Sequence, residues 1–179
     1  MKQPAKAISR GASKISSWHI GVAAEAIAAG QFARLGLDVS VQYGANQPEY
    51  DLIVTHGEFL LKVSVKGSQD GSWGLTQSYL KNADYQGAID RWLKRHKRRT
   101  VLCFIQFKDV RIDGLPRMYL ATPSEVAERM RESAGGRGDT VLFENHAWGP
   151  RARGKGTVDR IPEAWCFSEA RIARLLTEA

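Results

Sequence analysis

The order of apolar and polar positions in the first part of the chain predicts a helix followed by a β-meander. From Ser17, a suitable N-cap, apolar residues recur at helical spacing to about residue 35, and Gly36 is well placed to end the helix. His56 and Gly57 form a short link of the kind found in hairpins. Around this link, alternating apolar and polar residues predict three strands, at residues 38–43, 50–55 and 58–66.

The rest of the chain alternates between predicted helices and strands. A loop rich in glycine and serine at 67–74 precedes a helix predicted over 75–99, with a break near Gly87. Residues 100–107 are almost continuously apolar, which is typical of a strand buried on both faces. This order of elements predicts an α/β fold, in which helices flank a mixed β-sheet. The remaining elements are a strand at 118–122, a helix at 123–132, a loop at 134–138, a strand at 141–144, a basic loop at 151–160 and a final helix from Ser168.

Length and composition indicate one folded domain. The chain has 179 residues, of which 43% are hydrophobic and 25% charged, as is ordinary for a globular protein. Residues 1–16 are basic, lack periodicity and have no apolar core of the kind found in secretory signals, so we expect a flexible arm. A single domain then covers 17–179, with its core at about 17–122 and C-terminal additions. No apolar stretch approaches the roughly 20 residues of a membrane helix, so we expect no membrane partner.

The cysteines and the net charge indicate a compartment and a class of partner. Cys103 and Cys166 are too few for a disulfide framework, and their apolar neighbours predict that both are buried, which favours a reducing cytoplasm. Lys and Arg number 26 against 19 Asp and Glu, and the net charge of +7 permits a polyanionic partner without establishing one. The four histidines are scattered and show no zinc-binding spacing.

One face of the third predicted strand is unusually polar for a strand inside a sheet. Ser64 and Lys66 share this face, and the hairpin brings Asp51, at the start of the preceding strand, close to them. Glu25 lies among alanines in the first helix. Carboxylates beside a lysine are what metal-dependent phosphodiester cleavage requires. The carboxylates offer hard oxygen ligands to Mg²⁺ or Mn²⁺, and a lysine orients the attacking water or stabilises the developing oxyanion.

This arrangement resembles the PD-(D/E)XK nuclease superfamily, in particular archaeal-type Holliday-junction resolvases and related restriction-like and homing endonucleases. The resemblance covers about residues 17–70 and implies a restriction-endonuclease-like core. It implies that Glu25 is the helix acid, Asp51 the central metal ligand and Lys66 the catalytic lysine. It also implies a Mg²⁺ or Mn²⁺ cofactor, a DNA substrate and a homodimer that cuts two strands. The matching segments are Gly21…Glu25, Glu49-Tyr50-Asp51-Leu52-Ile53-Val54 and Leu61-Lys62-Val63-Ser64-Val65-Lys66.

Ser64 departs from the superfamily pattern, which usually has Glu, Asp or Gln at this position. A serine hydroxyl is a poor Mg²⁺ ligand, and members with Ser-Xaa-Lys recruit an acid from the following helix instead. That helix offers Asp84 and Asp90, and the loop before it offers Asp70. We take Asp84 as the candidate third metal ligand, because it follows Leu80 by four residues and would share a helix face directed at the sheet.

Two basic clusters are candidates for contact with the phosphate backbone of a nucleic acid. The first lies near the end of the second predicted helix, where the helix dipole explains part of the positive charge. The second lies among glycines in a loop that we expect to be flexible. For both clusters a solvated surface is the alternative. The proposed contact residues are Arg91, Lys94, Arg95, Lys97, Arg98 and Arg99 in the first cluster, and Arg151, Arg153 and Lys155 in the second.

These observations favour a metal-dependent DNA endonuclease of resolvase-like or restriction-like type, with Glu25, Asp51, Ser64 and Lys66 in its site. An alternative of another class is a degenerate nuclease fold that serves as a DNA-binding or protein-interaction module, and Ser64 is the residue that favours it. A third possibility is a basic domain for structural RNA. It predicts RNA binding that is indifferent to Mg²⁺ and to Asp51.

Overall fold

The computed structural model describes residues 15–42, 49–96 and 99–178, which form four α-helices, two short 3₁₀ segments and nine strands. The helices are α1 (Ser17–Arg34), α2 (Tyr85–Leu93), α3 (Pro123–Gly136) and α4 (Glu169–Glu178). The 3₁₀ segments are Gln77–Tyr79 and Glu163–Trp165. The strands are β1 (Asp38–Val41), β2 (Leu52–His56), β3 (Phe59–Ser68), β4 (Ser72–Gly74), β5 (Thr100–Gln106), β6 (Arg117–Ala121), β7 (Val141–Phe143), β8 (Asn145–Ala147) and β9 (Val158–Arg160).

Five strands form a mixed central sheet in the order β1-β2-β3-β5-β6. The middle strand, β3, pairs antiparallel with β2 and parallel with β5, and α2 lies in the connection between β3 and β5. Two small sheets, β4-β7 and β8-β9, are built largely from the C-terminal part of the chain. The predicted fold class, α/β with a mixed sheet flanked by helices, is confirmed.

Helix α1 forms where the sequence predicts it, because both of its ends carry local signals. The Ser16 hydroxyl lies 2.7 Å from Nδ1 of His19 and also accepts the His19 amide, so Ser16 rather than Ser17 is the N-cap. After Arg34, Gly36 takes a φ of +77°, a left-handed conformation that glycine adopts without steric cost.

Helices cover both faces of the sheet. On one face, α1 and α4 pack against a layer of strand residues that includes Val63, with Phe32 of α1 fully buried. On the other face, Ile89 of α2 and Met130 of α3 pack around Phe104 of β5. Successive residues of a strand point to opposite faces, so the odd-numbered core residues of β3 face α1 and the even-numbered ones face the layer of α2 and α3.

The helix predicted over 75–99 is much shorter in the structure, where α2 covers only Tyr85–Leu93. Asn82 and Ala83, just before it, have φ values of +50° and +56°, which a helix cannot continue through. The Asp84 side chain then accepts the Gly87 amide at 2.8 Å and starts the helix as its N-cap. Gly87 lies in this capped first turn and does not break the helix.

The two cysteines have different environments. Cys103 in β5 is fully buried, as predicted, and burial raises the pKa of its thiol to about 12. Cys166 is exposed, so the prediction that it is buried is wrong. It follows a 3₁₀ segment that buries Trp165 and places the next residue outward. Across the described parts of the chain, no helix combines the length and the apolar character needed to cross a membrane.

Candidate active site

Asp51 precedes β2 and is tied to β3 by both its backbone and its side chain. Its amide donates to the Val63 carbonyl at 2.8 Å, and its Oδ2 accepts the Val65 amide at 2.6 Å. The contact to Val65 uses one carboxylate oxygen and leaves Oδ1 for a further ligand. The hairpin thus brings Asp51 beside the middle of β3, as the sequence predicts.

Glu25 contributes a second carboxylate from the half-buried side of α1. Burial raises the pKa of Glu25, the negative charge of Asp51 raises it further, and the positive charge of Lys66 partly opposes both. These influences place Glu25 within electrostatic reach of Asp51 and Lys66. The two acids and the lysine come from three separate elements, α1, the start of β2 and the end of β3, and the charges of Asp51 and Lys66 act on Glu25.

Lys66 lies near the end of β3 with an exposed side chain. Its backbone carbonyl accepts a hydrogen bond from the Trp73 indole at 2.8 Å. The next residue, Gly67, touches α1 so closely that an added Cβ would lie 2.9 Å from the Cβ of Ala24 and from the carbonyl oxygen of Ile20. Only glycine allows α1 to approach β3 to this distance, and this approach places Ile20 and Ala24 of α1 directly against the end of β3.

A cavity of about 630 Å³ opens beside Lys66. Its walls come from the start of α1, the end of β3 and the loop that leads to β4. They include Ser16, Ser17, Lys66, Gln69, Asp70 and Ser72. The cavity therefore adjoins Lys66 on the side on which α1 begins.

Ser64 is nearly fully buried, with 5% of its surface exposed, and is in register with Leu102 of β5. It shares a strand face with Lys66 two residues later, as predicted. In the described residues, no group of three or more His, Cys, Asp or Glu side chains is arranged to hold a metal ion. Any third protein ligand would therefore have to join Glu25 and Asp51 through a rearrangement.

The structure does not bring Asp84 to these residues. Asp84 caps α2, and its carboxylate lies 3.4 Å from the Arg91 guanidinium. The prediction assumed that Leu80 and Asp84 share a helix face, but both residues precede α2. Asp90 is also occupied elsewhere, in an ion pair with Arg131 at 2.7 Å.

Asp70 is the alternative acid that lines the same cavity as Lys66. Its Oδ1 accepts the Ser68 hydroxyl at 2.9 Å, the Ser72 amide at 2.9 Å and the Ser72 hydroxyl at 3.0 Å. Burial raises the pKa of Asp70, but these hydrogen bonds outweigh it and hold the pKa below its ordinary value. Asp70 is thus a carboxylate at neutral pH at the edge of the cleft.

The first basic cluster is partly committed to contacts within the fold. Arg91 donates to the Tyr79 carbonyl at 3.0 Å and Arg95 to the Tyr79 hydroxyl at 3.1 Å, and the side chains of Lys94, Arg95 and Arg99 are exposed. Lys97 and Arg98 lie outside the described residues.

His96 follows the end of α2 and is half-buried. Burial lowers the pKa of His96, the charge of Glu49 raises it and that of Lys66 lowers it further. The connection from α2 to β5 contacts β3 at Lys62, whose amide donates to the Arg99 carbonyl at 2.9 Å.

The second basic cluster is carried by the β8-β9 hairpin, which is anchored to the end of α3. The buried Asp159 carboxylate accepts the Ser133 hydroxyl, the Trp148 indole at 2.7 Å and the Arg129 guanidinium at 2.7 Å. In the hairpin loop, a Cβ on Gly154 would lie 2.7 Å from the Cα of Ala134. Arg151, Arg153 and Lys155 are exposed on this anchored loop.

Sequence reasoning did not identify Trp73 or Asp159. Neither lies in a recognisable motif, and the partners of each are set by packing between elements. The glycine after Lys66 was available as a signal of close approach, since glycine in a strand marks such positions.

No protein-family model matches the chain, and no curated protein matches it. Among solved structures, the fold is similar to that of a bacterial homing endonuclease, I-Ssp6803I. The two chains are 15% identical, the alignment covers 91% of this chain and 95% of that one, and the TM-score is 0.46. At these values the similarity assigns neither an activity nor site residues to this chain.

Proposed function

We propose that this protein is a divalent-metal-dependent DNA endonuclease with a site of the PD-(D/E)XK kind, either resolvase-like or restriction-like. The observation that carries the proposal is the convergence of Glu25, Asp51 and Lys66 from α1, the start of β2 and the end of β3. The adjoining cavity supplies the space for a substrate phosphate.

The donor set suits Mg²⁺ or Mn²⁺, although it contains only two acids. Mg²⁺ in phosphoryl-transfer sites keeps several waters and is usually held by one or two carboxylates together with substrate phosphates. The pKa of Glu25 is raised mainly by burial and further by the charge of Asp51, and a cation bound by the two carboxylates would offset that repulsion. When bound, such an ion lowers the pKa of a water molecule and neutralises charge on the scissile phosphate.

The side chains have separate roles in this proposal. Asp51 offers Oδ1 to the cation while Val65 fixes its Oδ2, and Glu25 assists directly or through water. Lys66 places its ammonium group against the attacking water or the phosphate oxygens, where charge develops in the transition state. Ser64 lines the strand face below Lys66 and supplies no strong ligand.

The basic clusters provide contacts to the DNA backbone rather than a reading of base sequence. Lys94, Arg95 and Arg99 are exposed at and after the end of α2, and the anchored hairpin adds a second set of exposed cations. The homodimer remains part of the proposal, because two copies are needed to cut two strands at one site. Light scattering at several protein concentrations tests it.

A catalytically degenerate module that binds DNA or a protein is the second candidate. Ser64 favours it, because serine leaves the usual acid position empty, and the structure does not bring Asp84 to replace it. This candidate predicts DNA binding without cleavage.

Cleavage of plasmid, single-stranded and four-way-junction DNA in Mg²⁺ or Mn²⁺ separates the two candidates. We expect the wild type and Asp90→Asn, a surface control on α2, to cut one of these substrates. Asp51→Asn and Lys66→Ala should lose at least about 100-fold in rate, the usual scale for removing a group that acts on the transition state. DNA retarded in a gel by all four proteins, with none of the substrates cut, would instead establish the degenerate module.

A further inference from the structure

Three consecutive residues at the end of β3 are held from three directions. The Val65 amide donates to Asp51, the Lys66 carbonyl accepts the Trp73 indole at 2.8 Å, and Gly67 lies against α1. The lysine side chain itself has four rotatable bonds and is exposed, so the fold controls its position only through its backbone. Together with the parallel pairing of residues 65–67 to β5, these contacts fix the origin of the lysine side chain.

We infer that Trp73 is a positioning residue for Lys66, acting through the hydrogen bond from its indole Nε1–H to the Lys66 carbonyl. The inference rests on the proposed function, in which the Lys66 ammonium group must reach the reacting phosphate. Of the three contacts, the one to Asp51 involves a proposed metal ligand and the one to α1 is steric. Trp73 is outside the metal-binding set and can be altered by itself.

Trp73 is rigid enough for this role. Only 4% of its surface is exposed, and its ring makes edge-on contacts with Phe104 at 5.2 Å and with Tyr119 at 6.4 Å between ring centres. Its backbone pairs with Leu142 in the β4-β7 sheet. An indole fixed on these sides cannot follow a carbonyl that moves, so it holds the Lys66 backbone in one place.

This arrangement also gives the C-terminal additions a function. Strand β7 pairs with β4, and the Tyr119 hydroxyl is fixed by Glu144 at 2.7 Å just after β7. Residues 141–144 thus support Trp73, which in turn holds Lys66. The position of the lysine depends on a segment more than 70 residues away in sequence.

Trp73→Phe keeps the aromatic ring in the core and removes the indole N–H, and Trp165→Phe is the matched control. Trp165 is also 4% exposed in the same core layer, but its 3₁₀ segment lies outside the cavity beside Lys66. We expect Trp73→Phe to lower kcat about 10- to 100-fold, since a displacement of about 1 Å at a catalytic group costs on the order of 100-fold. KM and the Mn²⁺ dissociation constant should stay within about twofold, and Trp165→Phe should cut like the wild type.

A double-mutant cycle with Lys66→Ala separates positioning from general loss of structure. If Trp73 acts through Lys66, Trp73→Phe has no further effect on the residual rate of Lys66→Ala, whereas structural damage lowers both backgrounds equally. Assays are made below the unfolding transitions of all the variants. Equal rates for the two tryptophan variants, or additive losses in the cycle, would overturn the inference alone. Absence of cleavage by the wild type would overturn the proposed function on which it rests.

Discussion

The carboxylate of Asp51 accepts the amide of Val65 at 2.6 Å, so one side chain both completes the sheet and faces the candidate site. Strand β2 begins at Leu52 opposite Val63, and this register leaves Val65 without a β2 partner. The Asp51 side chain takes the place of the missing strand residue. A hydrogen bond to a charged group contributes about 1.5–3 kcal/mol, so this contact matters for stability as well as for chemistry.

Two replacements of Asp51 should therefore differ in their effect on stability although both abolish cleavage. Asp51→Asn keeps an oxygen that accepts the Val65 amide, and we expect the free energy of unfolding to fall by less than about 1 kcal/mol. Asp51→Ala leaves a nearly buried amide without a partner and should cost about 1–3 kcal/mol. Urea unfolding measures both values, and both variants should fail to cut DNA. Equal stability of the two variants would show that the carboxylate does not support β3.

Glu25 should make the stability of the metal-free protein fall as pH rises. Burial and the charge of Asp51 raise the pKa of Glu25 above its ordinary value of 4.5, so the folded chain holds this proton more tightly than the unfolded chain. The contribution of Glu25 is then fully present below pH 4.5 and is lost as pH rises through the raised pKa.

Glu25→Gln removes that loss, because glutamine does not titrate. From pH 4 to pH 7, thermal unfolding should show the stability of Glu25→Gln rising relative to that of the wild type, whereas the difference between the wild type and Glu128→Gln, an exposed control on α3, should stay constant. Added Mn²⁺ should raise the Tm of the wild type more than that of Glu25→Gln, because a ligand stabilises the state that binds it. Identical pH profiles for all three proteins would place Glu25 outside the site.

The parts of the fold that follow from local signals could be predicted from the sequence. Helix α1 has a cap, a repeated apolar face and a terminal glycine, and the hairpin of β2 and β3 has alternating residues around Gly57. These two elements carry Glu25, Asp51 and Lys66, so the positions of these residues in the fold were predictable, and their role in a common site stays a prediction. The extent of α2 was not, because Ala83 adopts a left-handed conformation that alanine rarely takes, and Asn82 alone, although its residue type tolerates that conformation, does not require it.

Contacts set by packing between distant elements could not be predicted. Asp159 accepts hydrogen bonds from Ser133 and Arg129, 26 and 30 residues earlier, only because the β8-β9 hairpin packs against α3. Trp73 reaches Lys66 because β4 folds back after a loop held by Asp70. Side chains of these types are common in many settings, and only the assembled sheet gives them their partners.

Gly67→Ala should disturb both the fold and the site. An added Cβ would lie 2.9 Å from the Ala24 Cβ, the Ile20 Cγ2 and the Ile20 carbonyl oxygen, so α1 or β3 must shift. We expect a loss of about 1–3 kcal/mol in the free energy of unfolding, as for other overpacked positions, and a fall in cleavage of at least tenfold.

Gly30→Ala is the matched control for this substitution. Gly30 lies in α1, the helix that packs against Gly67, and a Cβ at Gly30 would meet nothing within 4 Å. Alanine at this position should raise stability by about 0.5–1 kcal/mol and leave cleavage unchanged, because alanine favours the helix over glycine. If Gly67→Ala were as stable and as active as Gly30→Ala, then the close approach of α1 to β3 would not be needed for the site.

The anchored hairpin loop should determine how strongly salt weakens DNA binding. Each phosphate that a protein neutralises adds about 0.9 to the negative slope of log affinity against log salt concentration. Replacing Arg151, Arg153 and Lys155 together by alanine should therefore reduce the slope by up to about 2.7, to an equal extent for different DNA sequences. Fluorescence anisotropy between 50 and 300 mM salt measures this slope.

Arg111→Ala tests whether any exposed cation has the same effect. Arg111 is highly exposed and pairs with Asp113 at 3.0 Å in the connection between β5 and β6, so its loss should leave the slope unchanged. Since Gly154 and Asp159 hold the hairpin in place, we expect the three cations to contact phosphates without the cost of first ordering a loop. A slope unchanged in the triple variant would assign backbone contact to the cluster at the end of α2 instead, and Lys94→Ala with Arg95→Ala would then have to reduce it.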